Sequence, residues 1–170
     1  MTRTLSRALS LLALATSLSA QVDPIKAALD KKDYATAVKL LQPISDSGDP
    51  QAQSILAELY ASGQGTKKNP AQAIALWRSA ASKNFAPAQY SLGLSLATGD
   101  GVKRDLVEGA KYIRLAADQN LPEAQRDIAQ MFHGGQGVKR DYVLALDYFR
   151  KAAQKGMVEA QYSLASMYAS

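Results

Sequence analysis

Gly-Asp-Gly-Val-Lys-Arg-Asp at residues 99–105 returns as Gly-Gln-Gly-Val-Lys-Arg-Asp at residues 135–141, thirty-six positions later. A looser copy, Gly63-Gln64-Gly65-Thr66-Lys67-Lys68-Asn69, stands thirty-six positions earlier. Working outward, Ala-Gln begins at 52, 88, 124 and 160, at the same step and without insertion. Leu56, Leu92, Ile128 and Leu164 form an aliphatic column, and Tyr60, Leu96, Phe132 and Tyr168 a bulky one. A fixed period of this length marks stacked supersecondary units, none able to bury its apolar face alone.

Each unit reads as two helices. Asp49 followed by Pro50 is a cap with proline behind it. Ala52, Leu56, Leu59 and Tyr60 then recur at helical spacing, and Gly63 stops the run by taking a positive φ. The second helix starts after Asn69, Asp105 or Asp141. It buries Ala73, Leu76, Trp77 and Ala80, matched by Gly109, Tyr112, Ile113, Ala116 and by Ala145, Tyr148, Phe149, Ala152. It ends where Gly48, Asn84, Asn120 and Gly156 align, residues that tolerate the left-handed conformation. The expected fold is all-α: a right-handed α-solenoid of stacked antiparallel helix pairs. Residues 49–84, 85–120 and 121–156 are its three full repeats. Residues 21–48 form an atypical capping pair, with helices over 24–29 and 34–44. Residues 157–170 form a lone capping helix, whose outer face is otherwise left for a following segment or a partner.

Composition agrees with close helix packing. Alanine occurs 30 times, against 12 aromatic residues. Residues 1–20 carry Arg3 and Arg7, an apolar stretch from Ala8 to Ala15, and a small-residue run ending at Ala20, the layout of a secretory signal peptide. The apolar core is shorter than the roughly 20 residues of a membrane span. Cleavage after Ala20 lowers the formal charge from +5 to +3, and export makes nucleic acid an improbable partner. The mature chain is expected in the periplasm, or alternatively secreted, with no integral membrane segment.

Together, Ala-Gln-x-x-(Leu/Ile)-(Ala/Gly), Gly-x-Gly-Val-Lys-Arg-Asp and Ala-Ala-x-x-(Asn/Gly) resemble the Sel-one-like repeat, the SLR class of the tetratricopeptide superfamily. The resemblance covers Asp49 to Ser170, and more loosely Val22 to Gly48. Thr66 replaces Val in the first loop, Gly109 replaces a helix alanine, and the absence of Cys separates the chain from the disulfide-bridged branch. The resemblance implies a non-catalytic adaptor, typically exported in bacteria, that holds protein partners at the cell envelope.

Chemistry is sparse. Without Cys there is no thiol nucleophile and no thiolate metal site. The glycine loops lack the preceding strand and the Lys-Ser/Thr of a phosphate loop. His133, the sole histidine, has no carboxylate on its face, and Asp127 with Glu123 reads as an ordinary helix-surface pair. No catalytic residue, cofactor or metal is called for, which argues against an envelope hydrolase. Two surfaces remain. Residues off the buried stripe of the first helices should face a concave groove: Ser54, Glu58, Tyr90, Leu94, Arg126, Gln130, His133 and Tyr162, of which Tyr90, Leu94, Arg126, Gln130, His133 and Tyr162 are the candidate protein-binding set. Lys67, Lys68, Lys103, Arg104, Lys139 and Arg140 occupy equivalent loop positions and should form a basic ridge. That ridge suits an anionic envelope polymer such as peptidoglycan or exopolysaccharide, or simply keeps the stack soluble.

Overall fold

The computed structural model describes residues 24–169, so the signal-peptide reading of residues 1–20 lies outside the described residues. Among them are nine helices and no strand. A short α1 (24–30) precedes α2 (Tyr34–Asp46), α3 (Pro50–Ser62), α4 (Pro70–Ser82) and α5 (Ala86–Thr98). Then follow α6 (Leu106–Asp118), α7 (Pro122–Gly134), α8 (Tyr142–Gln154) and α9 (Val158–Ala169). Each helix packs on the next, giving the expected α-solenoid: odd-numbered helices form an A layer and even-numbered ones a B layer.

The boundaries have local causes. Asp49, Asn69, Asp105 and Asp141 each accept a backbone N–H from the first turn of the helix they precede. At the start of α5 and α7 the corresponding residues are Phe85 and Leu121, which offer no side-chain bond, and proline in the first turn serves instead. The A helices stop at Gly63, Gly99 and Gly135, with φ between +70° and +85°. The B helices stop ahead of Gly48, Asn84, Asn120 and Gly156, all at positive φ. Helix α2 runs two residues past Ile44, with Pro43 inside its last turn.

Two close approaches set the stacking. The second loop glycine of each repeat lies against the first residue of the preceding B helix: Gly65 on Tyr34, Gly101 on Pro70, Gly137 on Leu106. Any Cβ there would strike that residue. Within the second repeat, α5 and α6 cross at Gly93 and Gly109, where a Cβ on either would come within 2.9 Å of the other's carbonyl oxygen. The departure at Gly109 therefore has a partner at Gly93, in the column that holds Ala57 and Ala129 elsewhere.

The core runs along the stack as three successive clusters. Leu56, Leu92 and Ile128 are fully buried, each contributing about 1.5–3 kcal/mol. The recurring glutamine has a structural function that its column alone does not disclose. Gln53, Gln89, Gln125 and Gln161 each donate Nε2 to the carbonyl eight residues back, on Ser45, Ala81, Ala117 and Ala153, at 3.2–3.4 Å. Each bond ties the last turn of one B helix to the next A helix, and the first three glutamines are buried.

Candidate interaction surfaces

The A-layer candidates do not behave alike. Tyr90, half-buried on α5, donates its hydroxyl to Asp127 Oδ2 on α7 at 2.8 Å. Arg126 Nε donates to Asp127 Oδ1 at 2.7 Å, with Nη2 at 2.6 Å. Burial and then the Asp127 bond push the Tyr90 hydroxyl well above its ordinary pKa. Burial opposes the Arg126 charge, and the Asp127 carboxylate outweighs it, so the guanidinium is held above its ordinary value. Two residues expected to meet a partner thus converge on a third and lock one repeat to the next. Asp127, expected to be an ordinary surface carboxylate, is the hub. Its only signal in the sequence is an acid in a column otherwise occupied by Ile55, Ser91 and Ser163, one repeat and one residue beyond Tyr90.

Leu94 packs half-buried on the C-terminal core cluster. Ser54, expected to face the groove, is buried. Gln130, His133, Tyr162 and Glu58 are exposed. The A-layer surface available to a partner is therefore centred on Gln130 and His133 of α7, with Tyr162 of α9 at its end.

All six ridge residues are exposed. The second cation of each loop sits over the glycine that ends the A helix: Lys68 at Gly63, Arg104 at Gly99, Arg140 at Gly135. Arg104 turns its charge to the negative end of α5, donating Nε to the Ala97 carbonyl at 3.0 Å. Asp100, Asp105 and Asp141 interleave with the cations in the same loops, which dilutes the ridge. In the third repeat ridge and groove meet. Tyr142 stacks edge-on with His133 at 5.4 Å between centroids and lies under Arg140 at 5.5 Å. No repeat column singles out Tyr142, the first residue of α8.

Side-chain contacts also bridge the B layer. Tyr148 donates to Asp118 Oδ1 at 2.6 Å, and burial followed by that bond pushes its pKa up to about 12. Arg78 pairs with Glu108 at 3.4 Å. Among the described residues no cluster of His, Asp and Glu could hold a metal ion, and no helix is long and apolar enough to cross a membrane.

Comparison with known proteins gives a consistent result. The Sel1 repeat family model matches residues 29–49, 50–85, 86–121, 122–157 and 158–170. The crystal structure of a Sel1 repeat protein from Oxalobacter formigenes superposes with a TM-score of 0.82 at 32% identity, covering 87% of this chain and 59% of that one. A protective antigen of uropathogenic Escherichia coli with an SLR fold superposes at 0.78 with 31% identity, covering 89% of this chain and 35% of that one. This chain thus spans 59% and 35% of the two relatives' lengths. Cysteine-rich protein B of Helicobacter pylori, 23% identical with a TM-score of 0.55, covers 82% of this chain and 94% of that one and shares the fold. None of the curated proteins matches the sequence.

Proposed function

This chain belongs to the Sel1 repeat family, and we propose from that premise that it is a non-catalytic adaptor of the bacterial cell envelope that holds a protein partner on its A-layer surface. Sel1 repeats generally serve as protein-interaction scaffolds. The observation that carries the reading here is the exposed pair Gln130 and His133, braced by a rigid inter-repeat lock. With Tyr90, Arg126 and Asp127 committed to one another, the neighbouring side chains are presented on a fixed frame, which lowers the entropy lost on binding. Export is supported by the signal-peptide pattern of residues 1–20, and the Escherichia coli relative is a protective antigen.

The reading is tested by in-cell photocrosslinking from Gln130 and His133, with Lys103 and Lys139 probed in parallel, together with N-terminal sequencing of the exported product. A discrete protein adduct from the A-layer positions and a mature start at Gln21 are the expected results. Adducts only from the loop positions, abolished by salt and by Ala at Lys103, Arg104, Lys139 and Arg140, would instead establish the polymer-binding ridge. Retention of Met1 on exported protein would overturn the signal assignment.

A further inference from the structure

The loops that join each A helix to its B helix open onto one edge of the stack, and the B helices begin there. Gly65 lies against Tyr34, Gly101 against Pro70 and Gly137 against Leu106, so each loop touches the start of the preceding B helix. The edge is therefore one row in which loop cations alternate with the first residues of B helices. Among the described residues ahead of α9, four large apolar side chains are exposed, and three of them stand in this row. Val107 and Val143, the equivalent second residues of α6 and α8, are 69% and 77% exposed, and Tyr142 is 51% exposed. Ala71 holds the same place in α4 and is also exposed.

The two edges of the stack carry opposite charge. Segments 30–34, 63–71, 99–107 and 135–143 hold eight cations against five acids, a formal +3. The opposite edge, segments 46–51, 82–87, 118–123 and 154–159, holds Lys83 and Lys155 against five acids, a formal −3. Most acids of the basic row are committed within the chain. Asp33, Asp105 and Asp141 cap helices by accepting backbone N–H groups, and Asp30 pairs with Lys26. All eight cations are exposed. At the third loop Arg140 lies over the Tyr142 ring, joining a charge to a side chain with an apolar body and a polar tip.

We propose that this edge docks the protein onto an anionic lipid bilayer, its cations at the lipid phosphates and Val107, Tyr142 and Val143 dipped into the interface. Cations gain from a negatively charged membrane within a Debye length of its surface. The valines separate a bilayer from a polymer: they gain only where there is apolar material to enter, and a hydrated polysaccharide offers little. Single side chains protruding in a line do not make the contiguous buried core of a protein interface. Each of them can enter a lipid interface independently, and apolar burial then adds to charge attraction. No described helix is long and apolar enough to cross a membrane, so the contact is peripheral. This surface is separate from the Gln130 site and adds a lipid contact to the protein-binding reading.

The probe is a vesicle of equal parts phosphatidylglycerol and phosphatidylcholine, cosedimented with the full chain at low salt. Binding is expected there and not on phosphatidylcholine alone. Lys67→Gln, Lys103→Gln and Lys139→Gln together should weaken it at least about tenfold, each cation near such a surface being worth up to about fivefold. Val107→Gln with Val143→Gln, both at exposed positions, should weaken it at least about fivefold with the salt dependence unchanged. The chain has no cysteine, so an environment-sensitive fluorophore can be placed on Val107→Cys alone. Its emission should shift blue on the anionic vesicles, and the same label on Ser82→Cys, at the opposite edge, should not respond. Binding that survives both sets of substitutions, as attachment through residues 1–20 would, overturns the proposal. Loss with the lysines but not with the valines overturns it in favour of the polymer-binding ridge. A discrete protein adduct from Val107 in cells, without vesicle binding, overturns it in favour of a protein partner. Crosslinking from Gln130 reports the A-layer site separately, so either surface can fail while the other stands.

Discussion

The Tyr90 hydroxyl on α5 and Asp127 on α7 meet at 2.8 Å across the boundary between the second and third repeats. The sequence offers Tyr90 as a partner-binding aromatic and Asp127 as a solvated acid. Their contact makes both of them parts of the stack.

Tyr90→Phe should therefore destabilise the chain by about 1–2 kcal/mol, the worth of a half-buried hydrogen bond to a charged acceptor. In a double-mutant cycle with Asp127→Asn the coupling should be about 1 kcal/mol. Urea unfolding measures both. An unchanged midpoint for Tyr90→Phe would return this tyrosine to the binding surface.

Tyr148 makes stability depend on alkaline pH. Its pKa rises from 10.0 to about 12 on folding, so the protonated phenol is favoured in the native state. The stabilisation is complete below pH 10 and is lost as the pH climbs through about 12. Tyrosinate absorbance during alkaline titration should show a late component, and in a Tyr90→Phe background, free of the other raised tyrosine, Tyr148→Phe should remove that component. Persistence of that component in the variant assigns it elsewhere.

Gly137→Ala and Gly156→Ala compare two left-handed residues that differ only in surroundings. Both pay backbone strain of about 1 kcal/mol. At Gly137 a Cβ also meets the Leu106 backbone, whereas at Gly156 nothing lies within 4 Å. Thermal unfolding should show the Gly137 variant destabilised by at least about 1 kcal/mol more than the other. Equal losses would mean that the loop slides freely over the preceding helix.

The glutamine column should grade from core to end. Gln125→Ala should cost about 2–3 kcal/mol, since Gln125 is 1% exposed and bonded to the Ala117 carbonyl. Gln161→Ala, exposed on α9, should stay within about 0.5 kcal/mol. Denaturant titration of the two variants checks the difference.

The repeat step, the helix pair in each step, the caps at Asp49, Asn69, Asp105 and Asp141, and the left-handed residues at Asn84 and Asn120 were all legible in the sequence. They depend on interactions within a few residues, or on a pattern that the period itself displays. Exposure of the ridge was legible for the same reason, since polar loops of stacked units stay in water. What Tyr90, Arg126 and Asp127 do for one another was decided by the tertiary structure, because the Tyr90–Asp127 contact joins α5 to α7 across 37 positions of sequence. The same stacking buries Ser54 and joins His133 to Arg140 through Tyr142. A column of the repeat states what a residue resembles, but its neighbours one repeat away determine whether it holds the stack together or faces a partner.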